Sequence, residues 1–296
     1  MISKTAMITI CGRPNVGKST LTNALAGEKI AIVSNKPQTT RNRITAVCQR
    51  GETQFVFLDT PGFHKPRTRL GDYMVNVVRQ SVADVDAVVL VVEPVASIGP
   101  QERELIASIK AADCPAVLAI NKLDTVEPEK LLAVIALYSE AYAFNAIVPI
   151  SAKTGDGVEE LLKELDKFAV ESPALFPEGV TTDQPEKQVC AELIREKLLL
   201  NLEREVPHGT AVEITRFSER DDGIIDLEAT IYCEKASHKG IIIGKNGAML
   251  KKISSEARQD IERFMGTKVF LQTWVKVKEN WRDNLNYIHS FGYRDE

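Results

Sequence analysis

The chain has 296 residues, 44% of them hydrophobic and 26% charged, which exceeds what one hydrophobic core ordinarily serves and excludes wholesale disorder. Its formal net charge of -4 and pI near 5.8 exclude a uniformly basic nucleic-acid coat, although such a total can conceal a local basic patch. Cys11, Cys48, Cys114, Cys190 and Cys233 are scattered without zinc or redox-dithiol spacing, and no segment approaches a membrane span or signal peptide, so reduced buried thiols and a cytoplasmic location are expected.

The first strand is expected at AMITIC, residues 6–11, and it runs directly into GRPNVGKST, Gly12–Thr20. Gly12, Gly17, Lys18 and Ser19 satisfy the phosphate-loop pattern G-x-x-x-x-G-K-[ST] between a strand and a helix. Glycines let the backbone approach phosphates, the amides of Asn15 to Ser19 face inward as an anion nest, Lys18 reaches the β- and γ-phosphates, and Ser19 binds magnesium. Arg13, Pro14, Val16 and Thr20 complete the loop's expected contact set.

Further apolar runs follow at FVFLD, 55–59, AVVLVV, 87–92, and AVLAIN, 116–121, alternating with helical periodicity; this implies a mostly parallel sheet covered by helices. DTPG closes the first of these, which puts Asp59 at the sheet's carboxyl edge to hold magnesium through water, followed by Thr60, Pro61, Gly62, whose amide is offered to the γ-phosphate, and Phe63 as the last of the expected nucleotide contacts. NKLD follows another strand. Its Asp124 can accept both guanine N1–H and 2-amino hydrogens, a donor pair adenine lacks; Asn121 braces the loops and the Lys122 stem covers the base. Ser151, Ala152 and Lys153, after VPI, can supply an amide to guanine O6.

These elements resemble the translation-factor-related GTPases across the whole first domain. The resemblance implies a GTP hydrolase with GTP and GDP as substrate and product, and magnesium as cofactor. It also implies that PQTTR, 37–41, is the first switch, with Thr40 closing on magnesium and the γ-phosphate and Thr39 as the alternative. Lys18, Thr40 and Gly62 are the expected catalytic groups. The residue after Gly62 is Phe63, where Ras-type GTPases carry a water-orienting glutamine, so hydrolysis is expected to be slow and driven by magnesium, Lys18 and backbone electrostatics. Asn15 is a candidate ligand for potassium in place of an arginine finger, or simply a loop-stabilising asparagine.

SPALFPEGVTTDQPE, from Ser172 to Glu186, has no periodicity and carries Pro173, Pro177, Gly179 and Pro185; it divides a GTPase domain at 1–172 from a unit at 187–296 through a linker at 173–186. Beyond it a helix, two strand-like runs, a helical segment and a last strand read as a smaller α+β domain. Within GIIIGKNGAMLKKI, Gly244, Lys245, Asn246 and Gly247 form a G-x-x-G turn of KH type. Ile241, Ile242 and Ile243 are expected to wall a groove for unstacked bases, with Lys251 and Lys252 trailing. From Lys235 to Arg282 there are 11 Lys/Arg against 4 Asp/Glu, a local basic excess.

A GTPase domain followed by this KH domain resembles the Era family over essentially the whole chain. The resemblance implies binding to small-subunit ribosomal RNA near its 3′ end, a checkpoint role in assembling that subunit, a monomer, and some peripheral association with the inner face of the cell membrane. Two other readings stay open at this point: a membrane-associated signalling GTPase, and a KH scaffold whose nucleotide is structural.

Overall fold

A computed structural model of the chain describes residues 2–63, 66, 68–81 and 85–293. It divides into two compact units, one of Met1–Ala31, Thr40–Pro66 and Asp72–Asp183, the other of Ile32–Thr39, Arg67–Gly71 and Gln184–Glu296. The first unit is built on strands β1 (Lys4–Cys11), β2 (Ile44–Arg50), β3 (Thr53–Asp59), β4 (Ala87–Val92), β5 (Ala116–Ile120), β6 (Ala146–Pro149) and β7 (Val170–Glu171). Its helices are α1 (Lys18–Ala26), α2 (Arg69–Ser81, whose residues from Asp72 belong here), α3 (Pro100–Ala112), α4 (Pro128–Ala141) and α5 (Val158–Asp166).

The sheet runs β2-β3-β1-β4-β5-β6. β1, β3, β4, β5 and β6 pair in parallel, while β2 is antiparallel to β3 and β7 pairs antiparallel with the start of β1. β4 reads AVVLVV without a polar residue because both of its faces are covered. Ile8, Ile10, Phe55, Phe57, Val89 and Val91 enter one apolar cluster, and Cys11, Val88, Leu90, Val92, Leu118 and Ile120 enter another. The two faces fill different clusters, so a one-residue slip would exchange the sets of side chains between them. The loops that follow β1, β3, β4 and β5 therefore emerge together at the carboxyl edge.

Part of the segment expected as the linker is fastened to β2, the edge strand of this sheet, and to the neighbouring β3. The Gln54 side chain accepts from the amides of Leu175 at 2.8 Å and Phe176 at 3.0 Å, and donates to the Phe176 carbonyl at 2.9 Å. Val47 N–H donates to Thr181 O at 2.7 Å, and Thr182 Oγ1 to Thr45 O at 2.7 Å. The strap covers backbone groups that an edge strand would otherwise offer to another chain.

The second unit contains α6 (Glu186–Asn201), β8 (Ala211–Glu219), β9 (Ile225–Cys233), α7 (Ala236–Ile243), α8 (Ala248–Met265), β10 (Val269–Val277) and α9 (Leu285–Ser290). Its sheet runs β10-β9-β8, with β9 and β10 parallel and β8 antiparallel to β9. α7 and α8 make the crossover between the parallel strands. Ile253, Ala257 and Ile261 recur at four-residue spacing along α8 and are fully buried in one core with Leu227, Ala229, Ile231 and Cys233.

Ile32–Thr39, which includes the first three residues of the expected first switch PQTTR, belongs to this second unit. Ile32 enters its core. Val33 N–H donates to Glu196 Oε1 at 2.9 Å, Lys36 Nζ donates to the carbonyls of Leu199 and Leu202 at the end of α6, and the buried Arg195 guanidinium donates to the carbonyls of Gln38 and Thr39. The lysine completes carbonyls that a helix C-terminus leaves unpaired.

The aromatic tail is structural. Phe291 and Tyr293 are buried against the fully buried Trp281, with centroids 5.3 and 6.2 Å away, and Trp281 Nε1 donates to Gly209 O at 2.9 Å. All five cysteines are free and buried. Among the described residues no helix is long and apolar enough to cross a membrane. Trp281→Ala is expected to destabilise the second unit by about 3–5 kcal/mol, read as a lower midpoint for its transition in chemical unfolding.

Candidate functional sites

The phosphate loop leaves β1 and enters α1 at Lys18. Gly17 has φ +98°, and a Cβ there would lie 2.2 Å from Asn121 Nδ2, so both conformation and space require glycine. That space is taken because Asn121 joins three loops: its Nδ2 donates to Val16 O at 2.8 Å, and its Oδ1 accepts from the amide of Ala152 at 2.9 Å. The bracing role read from the motif thus has a definite geometry. Ser151 Oγ donates to Asp124 Oδ1 at 2.7 Å, which orients that carboxylate. Lys153 is exposed beside them.

Lys18 is buried, and its Nζ donates to the carbonyls of Gly12 and Arg13, both at 3.1 Å. Asp59, at the end of β3, is fully buried beside it. Burial pushes its carboxyl up to about 6, with the Lys18 charge opposing, and burial likewise pulls the Lys18 ammonium down, with Asp59 opposing. Among the described residues neither oxygen of Asp59 has a well-formed hydrogen-bond partner. Ser19 Oγ stands 2.8 Å from Thr40 Oγ1, while Thr39 Oγ1 turns back to donate to Lys36 O at 2.7 Å. Of the two threonines, Thr40 is therefore the one brought to the phosphate loop. Oxygen-only donors around buried negative charge suit magnesium.

The Thr60 amide and hydroxyl both donate to Ile10 O, at 3.3 and 2.9 Å, and the Phe63 amide donates to Gly12 O at 3.2 Å. This lays Gly62 against Pro14. The Phe63 ring lies in the apolar cluster that includes Cys11, Val75 and Leu90, so the side chain after Gly62 is a core group. Two carboxylates absent from the sequence reading also enter this region. Glu93, just past β4, accepts from Arg13 and from Lys122, and Glu102, in the first turn of α3, lies 2.9 Å from Arg13 Nε.

In the second unit, α7 ends at Gly244, whose φ is +72° and where a Cβ would lie 2.6 Å from Met249 Cβ; glycine is what allows the turn to fold this closely onto α8. Asn246 follows with φ +51° and Gly247 with +78°. Lys245, Asn246, Lys251 and Lys252 are exposed. Ile241 is 50% exposed, but Ile242 is fully buried in the core and Ile243 packs partly against it. This corrects the expectation that three successive isoleucines wall a groove: consecutive helical positions diverge by about 100°, so they cannot share a face. Arg258, Arg263, Lys268 and Arg282 each reach a carboxylate, whereas among the described residues no ion pair engages Lys245 or Lys251.

A carboxyl raised in the folded state binds a proton that the unfolded chain, titrating near 3.8, has already lost. The stability it contributes is full below that value and is lost as pH rises through about 6. The nucleotide-free protein should lose melting temperature from this group between pH 4 and pH 7. In Asp59→Asn that component of the slope should be missing.

Residues 7–122 match the family model described as a 50S ribosome-binding GTPase, and residues 205–282 match that of the KH domain. The chain is 52% identical to the GTPase Era of Ruminiclostridium cellulolyticum and 50% identical to that of Clostridioides difficile, in each case over 99% of both chains. Among solved structures it is similar to a variant of Aquifex aeolicus Era bound to GDP.AlF4- and to Era in complex with MgGDPNP and nucleotides 1506–1542 of 16S ribosomal RNA. Each has TM-score 0.95 and 36% identity and covers 99% of this chain and 100% of the other. A phosphate loop and a guanine loop joined through Asn121, an α/β sheet that presents them and a KH unit carrying a G-x-x-G turn are thus matched over the full length: the chain belongs to the GTPase Era family.

Proposed function

We propose that the chain is a GTP-hydrolysing switch that binds single-stranded RNA near the 3′ end of small-subunit ribosomal RNA and serves assembly of that subunit as a cytoplasmic monomer. The observation that carries this reading is the junction at Asn121, which holds the phosphate loop at Val16 and the guanine loop at Ala152 in one piece. The 16S ribosomal RNA bound by the related Era supports the choice of RNA. The working division is a GTPase domain at 1–172, a linker at 173–186 and an RNA-binding domain at 187–296.

In this reading Gly12 to Thr20 wrap the phosphates, and Asp124 with Ser151 to Lys153 selects guanine. Ser19, Thr40 and Asp59 hold magnesium, the last through water; bound there, the ion neutralises charge developing on the transferred phosphoryl group. Lys18 contributes a fixed positive charge to the same oxygens, and Gly62 an amide. With Phe63 in the core, no side chain at that position orients water, so intrinsic turnover is slow. Asn15, whose carbonyl already accepts from Lys122 at 2.7 Å, is the proposed neighbour of a potassium ion through its side chain. Gly244 to Gly247 press on the RNA backbone, with Ile241 beside an unstacked base and Lys245, Lys251 and Lys252 near phosphates. The chain crosses from the RNA-binding unit to the nucleotide unit between Thr39 and Thr40, which supports a switch in which capture of Thr40 is felt in the KH unit.

Asp124→Asn should weaken GTP binding by about a hundredfold or more, because an amide cannot accept both guanine donors, and should improve xanthosine triphosphate, whose 2-oxo group accepts from the new amide. Equal GTP affinity in variant and parent would remove the guanine assignment. Replacing Lys245 and Asn246 together by Asp should abolish gel-shift of a single-stranded 3′-end oligoribonucleotide. Retained RNA binding with lost binding to anionic vesicles would place the basic turn on lipid instead.

A further inference from the structure

We propose that Glu93 is a positioning residue for nucleotide capture, a single carboxylate that ties the phosphate loop to the guanine loop. Glu93 follows directly on β4, the fully buried central strand, and the carbonyl before it, Val92 O, accepts from the Asn121 amide at 2.8 Å. Its backbone is thus pinned at the root of the guanine loop. Its two oxygens are divided between the loops: Oε2 accepts from the Arg13 guanidinium, in the phosphate loop, and Oε1 from the Lys122 ammonium, in the NKLD loop. Lys122 Nζ donates in addition to Asn15 O at 2.7 Å. Arg13 is held from its other side by the buried carboxylate of Glu102, 2.9 Å from Nε.

The arrangement counters a conformational cost. Asn15 has φ +66° and Lys122 φ +68°, both in the left-handed region that non-glycine residues avoid, with one such residue in each loop. The Lys122 ammonium bonds the Asn15 carbonyl, and Glu93 neutralises that ammonium and fixes where it points. Lys122 is then held between Asn15 and Glu93 rather than extended into water. Neither Glu93 nor Lys122 is placed at the γ-phosphate, and Asn15 takes part here only through its backbone carbonyl, so the effect of Glu93 falls equally on GTP and GDP and leaves the chemical step alone.

The side chains of Arg13, Lys122 and Glu93 are 34%, 35% and 24% exposed, so the pairs are screened and contribute little to global stability. What they set is the mutual position of two loops, and hence how readily nucleotide is captured and released.

This inference rests on the guanine-nucleotide site assigned above. The test is steady-state GTP hydrolysis, together with release of a fluorescent GDP analogue, by the full chain in parent, Glu93→Gln, Lys122→Met and the double variant, with Asp124→Asn as the control for the site itself. Glu93→Gln should raise KM for GTP and the release rate by about fivefold to tenfold, with kcat within about twofold and an unchanged melting midpoint. The increments of Glu93→Gln and Lys122→Met should fall well short of additive, since one acts through the other. An unchanged KM, a fall in kcat at constant KM, or full additivity would overturn the proposal. Should Glu93→Gln melt early, Arg13→Gln, which removes the other partner and keeps the carboxylate, must still raise KM, or the proposal fails. If Asp124→Asn binds guanine nucleotides as the parent does, the site assignment fails first. If it does not and Glu93→Gln is silent, only the positioning role is lost.

Discussion

The side-chain amide of Asn121 is the constraint on which the nucleotide site depends. One donor and one acceptor on a single planar group fix the Val16 carbonyl of the phosphate loop and the Ala152 amide of the SAK loop. Its occupation of that space leaves no room for any side chain at Gly17. Buried amides satisfied on both ends are costly to disturb, because breaking either bond leaves a polar group unpaired in an apolar surround. The sheet supplies the frame: β1, β3, β4 and β5 bring their carboxyl ends to one edge, and each delivers one loop there. Lys18 and Asp59 then coexist in burial, each making the other's charge tolerable.

The second organising fact is that the two units are interleaved along the chain: one boundary, after Asp183, falls inside the expected linker, and a further piece of the second unit lies far upstream. Residues 173–183 are strapped to the nucleotide unit through Gln54 on β3 and Val47 and Thr45 on the edge strand β2. Ile32–Thr39, in the first third of the chain, is a component of the RNA-binding unit, held on α6 by Arg195, Glu196 and Lys36. A guanine-nucleotide switch needs an element whose position depends on the γ-phosphate and is felt elsewhere. The peptide from Thr39 to Thr40 has the required continuity, with one residue in each unit.

Much of this was legible in the sequence, for identifiable reasons. AVVLVV and FVFLD announce doubly covered strands because burial on both faces removes alternation. The phosphate and guanine loops are legible because phosphate contact demands glycine and guanine recognition demands a carboxylate at fixed spacing. What was not legible mostly involves backbone atoms. The Thr181 carbonyl that accepts from Val47, and the Gln38 and Thr39 carbonyls that accept from Arg195, exist in any sequence and leave no residue-type signal. Glu93 carried a faint signal, a carboxylate at the carboxyl end of a central strand, but nothing in the sequence pairs it with Arg13 and Lys122. Ile242 was misplaced because a run of identical residues hides helical phase, and only packing shows which of the three points inward.

The central claim is that nucleotide state at the carboxyl edge is communicated to the KH unit. The direct measurement is the affinity of the full chain for a single-stranded oligoribonucleotide from the 3′ end of small-subunit ribosomal RNA, compared in saturating magnesium-GDP and in a magnesium-bound non-hydrolysable GTP analogue. A coupled switch gives tighter RNA binding with the analogue, by about fivefold or more, and an equal gain in analogue affinity when RNA is present. The same RNA affinity in both nucleotide states would contradict the account and leave the bound nucleotide as a structural ligand.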